Sequence, residues 1–296
     1  MCDLNNPPMQ GRKYMDNYPN KNWMAATREV DRLTLSELTL PGTHNAGCDW
    51  QASYALIPGK HWLACQHQSF ASQLNHGSRA LDVRLCYDAG AKEGFDRFRF
   101  HHNEYLSSRT LENLVVEVSD FLSVNPDEFI ILDFKNFKNG KGAFDFALFN
   151  RLIVQALGPR MIPARNKHLT LGDLKRISPL QRVLVCAPRY SELDASLFHD
   201  EVQSKWSGLS TPNVSDLRNF ITDVMSNPPG NYNNWTLSAT CYSGTGGPVD
   251  IHKDLDLMFD PQTSDWARKC NIINVDFIEE SQIVNFCRVV NLLKGR

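Results

Sequence analysis

The sequence lacks any apolar run long enough to cross a bilayer. Spanning takes about 20 consecutive apolar residues, and no segment of the 296-residue chain approaches that length. The first 20 residues also lack the apolar core of a secretory signal. We therefore expect a protein that stays in the cytoplasm, leaves the cell by another route, or has lost a leader.

A strong net charge is also missing. The formal charge is −2, which excludes a strongly basic nucleic-acid binder and gives no overall attraction to anionic membranes. Any membrane contact must therefore be local. Hydrophobic residues make up 42% of the chain, enough for a substantial core, and the length suits one large domain or two small ones.

Closely spaced cysteines are absent as well. The eight cysteines include no Cys-x-x-Cys pair, which argues against a structural zinc site. We expect buried free thiols. The alternative is a disulfide between Cys48 and Cys65, which flank one loop, if the protein is exported.

The alternation of strands and helices predicts a parallel α/β fold. About seven or eight strands favour a closed barrel over an open sheet, and no GxGxxG motif follows the first strand to support dinucleotide binding. Residues 1–30 are predicted as an irregular lead-in anchored by Trp23, residues 31–296 as a single domain, and 200–235 as a long loop or small insertion. Predicted strands cover residues 35–40, 79–87, 98–102, 129–134, 182–186, 235–241 and 272–277, and predicted helices cover 69–76, 111–124, 142–157, 171–175 and 279–293.

Polar side chains follow or end most of these strands, where a parallel barrel carries its catalytic residues. They are His44, Asn45, Asp82, Arg84, His101, His102, Asp133, Lys135, Arg189, Tyr190 and Asp276. Each has a structural explanation: Asp82 and Arg84 can form an ion pair, His44 can hydrogen-bond its loop, and one of the adjacent histidines can be structural. Acids, bases and cations together at the same strand ends favour a catalytic site instead.

Four segments carry a family resemblance: LPGTHNAG at 40–47, RALDVRL at 79–85, FHHNEYL at 100–106 and FIILDFKNF at 129–137. Their order and spacing resemble the X-domain of bacterial-type phosphatidylinositol-specific phospholipases C. CAPRYSE at 186–192 and NVDFIEE at 274–280 extend the resemblance more weakly. It implies a distorted TIM (β/α)8-like barrel over residues 31–296, which cleaves phosphatidylinositol into diacylglycerol and inositol 1,2-cyclic phosphate.

The same resemblance implies roles for five catalytic residues. His44 matches the general base for the inositol 2-hydroxyl, and Asp276 the carboxylate that orients it. His102, rather than His101, matches the general acid, with Asp82 as its expected partner. Arg84 is the candidate for stabilising the phosphorane, because a guanidinium can engage phosphate through two donors.

The residues at the expected metal positions argue against calcium. Calcium takes six to eight oxygen ligands. Calcium-dependent relatives carry acidic residues at two positions where this sequence has Arg84 and Lys135. We expect a metal-independent reaction without a cofactor. Asn45 follows the base as in calcium-dependent relatives, whereas many bacterial relatives have Asp there, so no acid–Arg84 pair is expected at that position.

The resemblance implies substrate contacts from Lys135, Arg189 and Tyr242, and Asn45 is a further candidate. Thr240 stands where bacterial forms commonly have Asp, which leaves inositol selectivity open. The loop 49–63 follows His44 and carries membrane-contact candidates whose rings suit a bilayer interface, or which pack beneath the loop. These candidates are Trp50, Tyr54, Leu56, Ile57 and Trp62.

Two other functions stay open. One is a barrel phosphodiesterase of the glycerophosphodiester or sphingomyelinase D type, although Asp82-Val83-Arg84 replaces their Glu-x-Asp metal motif. The other is an inactive X-domain that binds lipid, although both histidines are retained. The expected partner is phosphatidylinositol in membranes, and action on glycosyl-phosphatidylinositol anchors stays open. We expect a monomer that contacts membranes peripherally and does not bind nucleic acid. The family resemblance implies that it is secreted.

Overall fold

A curled sheet of parallel strands forms the centre of the molecule. The computed structural model describes residues 19–54, 59–208, 213–243 and 247–296. The strands are β1 Leu40–Thr43, β2 Ala80–Asp88, β3 Phe98–His102, β4 Tyr105–Thr110, β5 Ile130–Lys141, β6 Val183–Cys186, β7 Phe198–His199, β8 Gln203–Lys205, β9 Trp235–Ser238, β10 Cys241–Tyr242, β11 Pro248–Val249 and β12 Ile272–Val275. The helices are α1 Phe70–Asn75, α2 Leu111–Val124, α3 Phe146–Leu157, α4 Leu171–Ile177, α5 Val214–Ser226, α6 His252–Phe259, α7 Trp266–Lys269 and α8 Ile283–Lys294.

Eight parallel strands follow the order β7-β6-β5-β2-β1-β12-β9-β8, and the β3–β4 hairpin adds to β2. The predicted TIM-barrel-like fold is confirmed. The prediction of a closed barrel is wrong in one respect: among the described strands, no ladder joins β7 to β8. Residues 200–202 alone connect these two strands, whereas neighbouring parallel strands need a crossover of about a dozen residues or more. The barrel therefore has an open seam between β7 and β8.

The first strand lies later in the chain than predicted and includes the Pro-Gly pair. The Pro41 carbonyl accepts the Arg79 N–H at 2.8 Å, and β2 begins only beyond that point. A Cβ on Gly42 would lie 2.1 Å from the Asn274 side-chain oxygen. Glycine is thus needed here for the close approach of β1 to β12, and the dipeptide read as a strand terminator lies within the strand.

A β-bulge interrupts the pairing of β2 with β5. Val83 pairs with Phe134, but Arg84 pairs with Asn136, so Lys135 is the extra residue. A bulge of this kind bends the strand and redirects a side chain. It also accompanies the continuation of β5 to Lys141, beyond its predicted end, and α3 begins correspondingly later.

The region 200–235, predicted as a loop or insertion, contains β8 and α5. The Asn213 side chain accepts the Asp216 N–H at the start of α5, as an N-cap does. Leu217, Ile221 and Met225 recur every four residues on the buried face. This pattern was present in the sequence, and the surrounding Asn, Ser and Pro residues obscured it.

Other predicted elements agree more closely with the structure. β3 and α2 have their predicted bounds, and the Thr110 N–H donates to the Asn113 side chain at 2.9 Å where α2 begins. The strand predicted at 235–241 ends at Ser238, and β12 ends at Val275, one residue before Asp276.

The described cysteines are buried free thiols, as expected. Cys48 and Cys65 therefore do not form the alternative disulfide, and Cys2 lies outside the described residues. In the part of the chain that the structure describes, no helix has the length and apolar character needed to cross a membrane.

A fully buried ion pair anchors the lead-in to the barrel. Arg79, just before β2, donates to Glu128, just before β5, at 2.7 Å, and both side chains are inaccessible. Glu128 also accepts the Ala25 N–H, and Arg79 donates to the Lys21 carbonyl. Trp23 is fully buried and donates to the Gly77 carbonyl, consistent with its expected anchoring role.

We predict that Glu128→Ala lowers the free energy of unfolding by about 3–5 kcal/mol, because it leaves the Arg79 charge buried without a partner. Urea unfolding monitored by circular dichroism would measure this. The matched control is Glu104→Ala, which removes an exposed partner of Lys138 and should have a much smaller effect. Equal effects of the two substitutions would contradict this interpretation of the pair.

Candidate active site

Parallel pairing of β1 with β12 brings two distant segments together. Thr43 pairs with Val275, so His44 and Asp276 are the next residues on neighbouring strands. His44 Nδ1 lies 2.8 Å from Asp276 Oδ1, and each side chain is only 3% exposed. The hydrogen bond orients the imidazole, as expected of a general base with a carboxylate partner.

The residues that follow both groups have unusual backbones. Asn45 has φ of 42° and Phe277 has φ of 52°. Asparagine tolerates this left-handed region, but a bulky phenylalanine rarely occupies it. Such strain persists where the surroundings enforce it, and it occurs often at functional sites. Here the chain turns sharply directly after each member of the pair.

Gln66 fixes the two strand ends, and sequence reasoning missed it. Its buried side-chain amide donates to the carbonyls of His44 and Val275 at 3.0 and 2.9 Å. Its oxygen accepts the Ile278 N–H. An amide just after the aromatic-rich loop gave no signal in the sequence, because its role depends on chain segments more than 200 residues apart.

Two ion pairs lie near His44 and Asp276, one on β2 and one on β5. Arg84 holds Asp82 through two hydrogen bonds of 3.1 and 2.8 Å. Lys135 Nζ lies 3.2 Å from Asp133 Oδ2. The same-face placement expected for each pair is therefore confirmed, and the bulge supplies the Lys135 position.

Charge interactions among these groups set their ionisation. Burial opposes ionisation of Asp82, but Arg84 and Lys135 overcome it and hold the Asp82 pKa well below its usual range. Burial raises the pKa of Asp133 to about 7, although Lys135 opposes this shift. Asp82 thus stays anionic beside Arg84. Asp133 is partly protonated near pH 7, so it balances the positive charge of Lys135 only in part.

A cavity of about 200 Å³ connects His44 with Asp82, Arg84 and Lys135. Its walls are His44, Asp82, Arg84, Lys135, Asn136, Ser204, Trp206, Ser238 and Tyr242. The Tyr242 ring meets the His44 ring edge-on, with centroids 6.5 Å apart. Burial raises the Tyr242 pKa to about 12, so its hydroxyl stays protonated. Sequence reasoning missed Asn136, Ser204, Trp206 and Ser238. Ser204 and Trp206 were missed because β8 and its following loop were not recognised as part of the barrel.

The two adjacent histidines have different surroundings. His102 Nδ1 lies 2.8 Å from the Leu63 carbonyl and 3.8 Å from Cys65 Sγ, and its side chain does not line the 200 Å³ cavity. His101 lines a separate cavity, with Nδ1 3.0 Å from the Asn103 carbonyl. The expected partnership of Asp82 with His102 is not formed: Arg84 takes both Asp82 oxygens.

Several predicted contact residues lie elsewhere. Arg189 is exposed, pairs with Asp200 at 2.6 Å and lines a different cavity of about 530 Å³. It lies on the loop after β6, far along the sheet from β1, and the structure does not bring it to His44. Asn45 is buried, does not line the cavity of His44, and its side-chain oxygen and nitrogen have no hydrogen-bond partner in the described residues.

The aromatic loop after His44 is partly accessible. Trp50 is 38% and Trp62 37% exposed. Tyr54 is less exposed, because its hydroxyl donates to the Asp49 carbonyl at 3.0 Å. Leu56 and Ile57 lie outside the described residues. The two tryptophans are thus available to an external partner, and Tyr54 supports the loop.

His102 should make stability depend on pH. Burial lowers its pKa from 6.5 to about 4, so between these values the unfolded chain binds a proton that the folded chain does not. Stability from neutral His102 is full above pH 6.5 and is lost as pH falls toward 4. We predict that the wild type loses about 2 kcal/mol more than His102→Asn between pH 7 and 5. Urea unfolding at both pH values measures this, and parallel losses would refute it.

Comparisons with known proteins agree with the observed architecture. No family model matches the chain. It is 25% identical over 247 residues to the PI-PLC X domain-containing protein 2 of Homo sapiens, covering 76% of this chain and 79% of the relative. It is 34% identical over 212 residues to the variant-surface-glycoprotein phospholipase C of Trypanosoma cruzi, covering 69% of this chain and 50% of the relative.

Among solved structures, the phosphatidylinositol-specific phospholipase C from Listeria monocytogenes superimposes with a TM-score of 0.67 at 19% identity, covering 92% of this chain and 98% of that one. The likeness at this identity establishes the fold. Because mammalian proteins are among the relatives, the bacterial branch of the resemblance is not confirmed. Together, the curated relatives and the shared fold support a relationship of this chain to the PI-PLC X-domain family.

Proposed function

We propose that this protein is a phosphatidylinositol-specific phospholipase C that cleaves its substrate by metal-independent acid–base catalysis. The observation that carries the proposal is the buried His44–Asp276 hydrogen bond at the wall of a cavity that also presents Arg84 and Lys135. A base that accepts a proton and cations that attract a phosphate therefore meet in one small space. The names of the relatives point to the same chemistry.

In the first step, His44 Nε2 removes the proton from the inositol 2-hydroxyl, and the freed oxygen attacks phosphorus. The bond from phosphorus to the glycerol oxygen breaks, and His102 gives that oxygen a proton. The products are diacylglycerol and inositol 1,2-cyclic phosphate. In a slower second step, water opens the cyclic phosphate with the two histidines exchanging roles. Base and acid each contribute roughly a hundredfold or more to the rate.

His102 must be protonated before it can act as an acid. Its low pKa leaves it neutral in the free protein near pH 7, with the Leu63 carbonyl accepting from Nδ1 and Nε2 unprotonated. A bound phosphodiester anion would favour the imidazolium electrostatically. We therefore propose that substrate binding and protonation of His102 are coupled, so that the acid forms only when the substrate is present.

Arg84 and Lys135 take the place of a metal ion in this scheme. Arg84 offers its planar donors to the phosphorane oxygens, and Asp82 holds it in place. We assign the inositol contacts to Lys135 and Tyr242, which share the cavity with His44. Residues 31–296 would form the catalytic barrel, and secretion stays a prediction of the family resemblance.

The decisive experiment is incubation with phosphatidylinositol vesicles in excess EDTA, followed by phosphorus NMR of the products. We predict that inositol 1,2-cyclic phosphate appears first and that EDTA does not slow its formation. Direct release of phosphatidic acid would overturn the proposed cleavage. Vesicle binding without turnover would favour an inactive lipid-binding domain, and loss of activity in EDTA a metal-dependent phosphodiesterase.

Single substitutions test the assigned histidines. We predict that His44→Ala and His102→Ala each lower kcat/KM by at least about a hundredfold. The matched control is His101→Gln, in the neighbouring position but facing another cavity, which should retain most of the activity. A larger loss for His101→Gln than for His102→Ala would reverse the assignment of the acid.

The exposed tryptophans beside the site are proposed to contact the membrane. Trp50 and Trp62 lie on the loop that follows His44, and indole rings partition into the bilayer interface. With a net charge of −2, the protein has no general electrostatic attraction to anionic lipid, so this local contact would supply the binding.

We predict that Trp50→Ala combined with Trp62→Ala reduces binding to phosphatidylinositol vesicles severalfold while cleavage of a soluble inositol phosphodiester is nearly unchanged. Sedimentation with vesicles and a soluble-substrate assay measure the two effects. Tyr232→Ala, which removes another exposed aromatic ring, is the control and should alter neither. Equal losses on the two substrates would show that the tryptophans support the fold of the site instead.

A further inference from the structure

One buried thiol lies between the two histidines and has no part in the proposed reaction. Cys65 Sγ is 3.8 Å from His102 Nδ1, and the residue is completely buried. Ligand atoms of His44, Cys65 and Asp276 all lie within 4.8 Å of one another. A nitrogen of His44, a sulfur and a carboxylate oxygen therefore lie close together.

The Asp276 carboxylate has an unused oxygen at this point. Oδ1 contacts His44, but Oδ2 is buried without a hydrogen-bond partner among the described residues. A buried, unpaired carboxylate oxygen is costly and calls for a ligand or a function. Together with the thiol and the imidazole, it provides a ligand set of the kind that zinc prefers, with three protein ligands and a position left for water.

We propose that Cys65, Asp276 and Nδ1 of His44 form an inhibitory site for zinc or a similarly soft divalent ion. The thiol loses its proton to solvent when it binds the metal, so the thiolate and the carboxylate balance the charge of the ion. The 4.8 Å limit on the ligand separations exceeds the spacing around a tetrahedral zinc, and small side-chain movements would close the site. The inhibitory consequence rests on the proposed function, whereas the metal site itself does not.

Inhibition follows from the two nitrogens of His44. In the free protein the Asp276 carboxylate accepts from Nδ1, which leaves Nε2 unprotonated for the 2-hydroxyl. A metal on Nδ1 moves the ring proton to Nε2, so the imidazole has no free lone pair on its substrate side. Because Cys65 and Asp276 do not line the substrate cavity, the metal should lower kcat more than it raises KM.

The ligand atoms at the site favour a soft ion over calcium. Calcium requires many oxygen ligands, and this cluster offers one carboxylate. Arg84 lies close enough to affect the ionisation of Cys65, but its charge is balanced by Asp82. An exposed cluster elsewhere, Asp250, His252 and Glu280, also brings three ligand atoms within 4.8 Å. The experiment must distinguish these two groups.

Cobalt(II) titration of the full chain tests the site, because a thiolate ligand gives a charge-transfer band in the near ultraviolet. We expect this band in the wild type, its displacement by Zn²⁺, and no displacement by Ca²⁺. Cys65→Ser should abolish the band and weaken Co²⁺ binding at least about a hundredfold. Cys65→Ala provides the same test if the serine variant fails to fold. The control Cys287→Ala removes a buried thiol of α8 and should leave the band intact.

The rate of phosphatidylinositol cleavage with Zn²⁺ is then measured for each variant and expressed relative to the rate of the same variant without metal. We expect inhibition of the wild type and of Cys287→Ala, and an increase of at least about a hundredfold in the Zn²⁺ concentration needed for Cys65→Ser. A wild-type band that persists in Cys65→Ser, or the absence of any band, would overturn the proposed site. Cobalt binding through Cys65 without lipid cleavage by the wild type would refute the proposed function and leave the metal site standing.

Discussion

The parallel pairing of β1 with β12 is the constraint on which the site depends. These strands come from opposite ends of the described chain, and their register puts His44 beside Asp276. Gly42 permits the approach because a side chain there would collide with Asn274. Gln66 then ties the two strand ends together from a third segment. A long-range backbone pairing, rather than a local motif, thus creates the His44–Asp276 pair.

Electrostatic balance explains how several charged groups share one small cavity. Asp82 stays ionised because Arg84 and Lys135 offset the penalty of its burial. Asp133 has less support, and burial raises its pKa to about 7. The two cations therefore exceed the fixed anions as Asp133 becomes neutral. The negative charge of a phosphate group that enters this space would pair with the excess positive charge, so the phosphate would not be an unpaired buried ion.

Much of the fold could be predicted from local patterns. The buried face of α2 and the short β3 follow from periodicity within the segments themselves. The open seam, the bulge at Lys135 and the position of β1 could not be predicted, because each depends on contacts between distant strands. The Pro-Gly pair is a typical strand terminator, and only the neighbouring Asn274 explains why the strand continues through it.

The site shows the same division. Residues at strand ends were predictable as a group, and His44, Asp82, Arg84 and Lys135 do share one cavity with Tyr242, which was suggested by the family resemblance. The partner of Arg84 was predictable from the two-residue spacing of a strand. Arg189 was misplaced because it follows β6, which lies three strands away from β1 in the sheet. Gln66 and Trp206 were missed because neither belongs to a recognisable pattern.

The extra residue in β5 bears on how this protein should be compared with its relatives. At 19% identity, a sequence alignment has few fixed points within a strand. A relative whose strand lacks the bulge has one residue fewer before the position of Asn136. Aligning the two strands without a gap would then equate Lys135 with the relative's partner of the Arg84 position, and every later residue of β5 with one that points to the opposite face. Evolutionary statements about this lysine therefore require superimposed backbones.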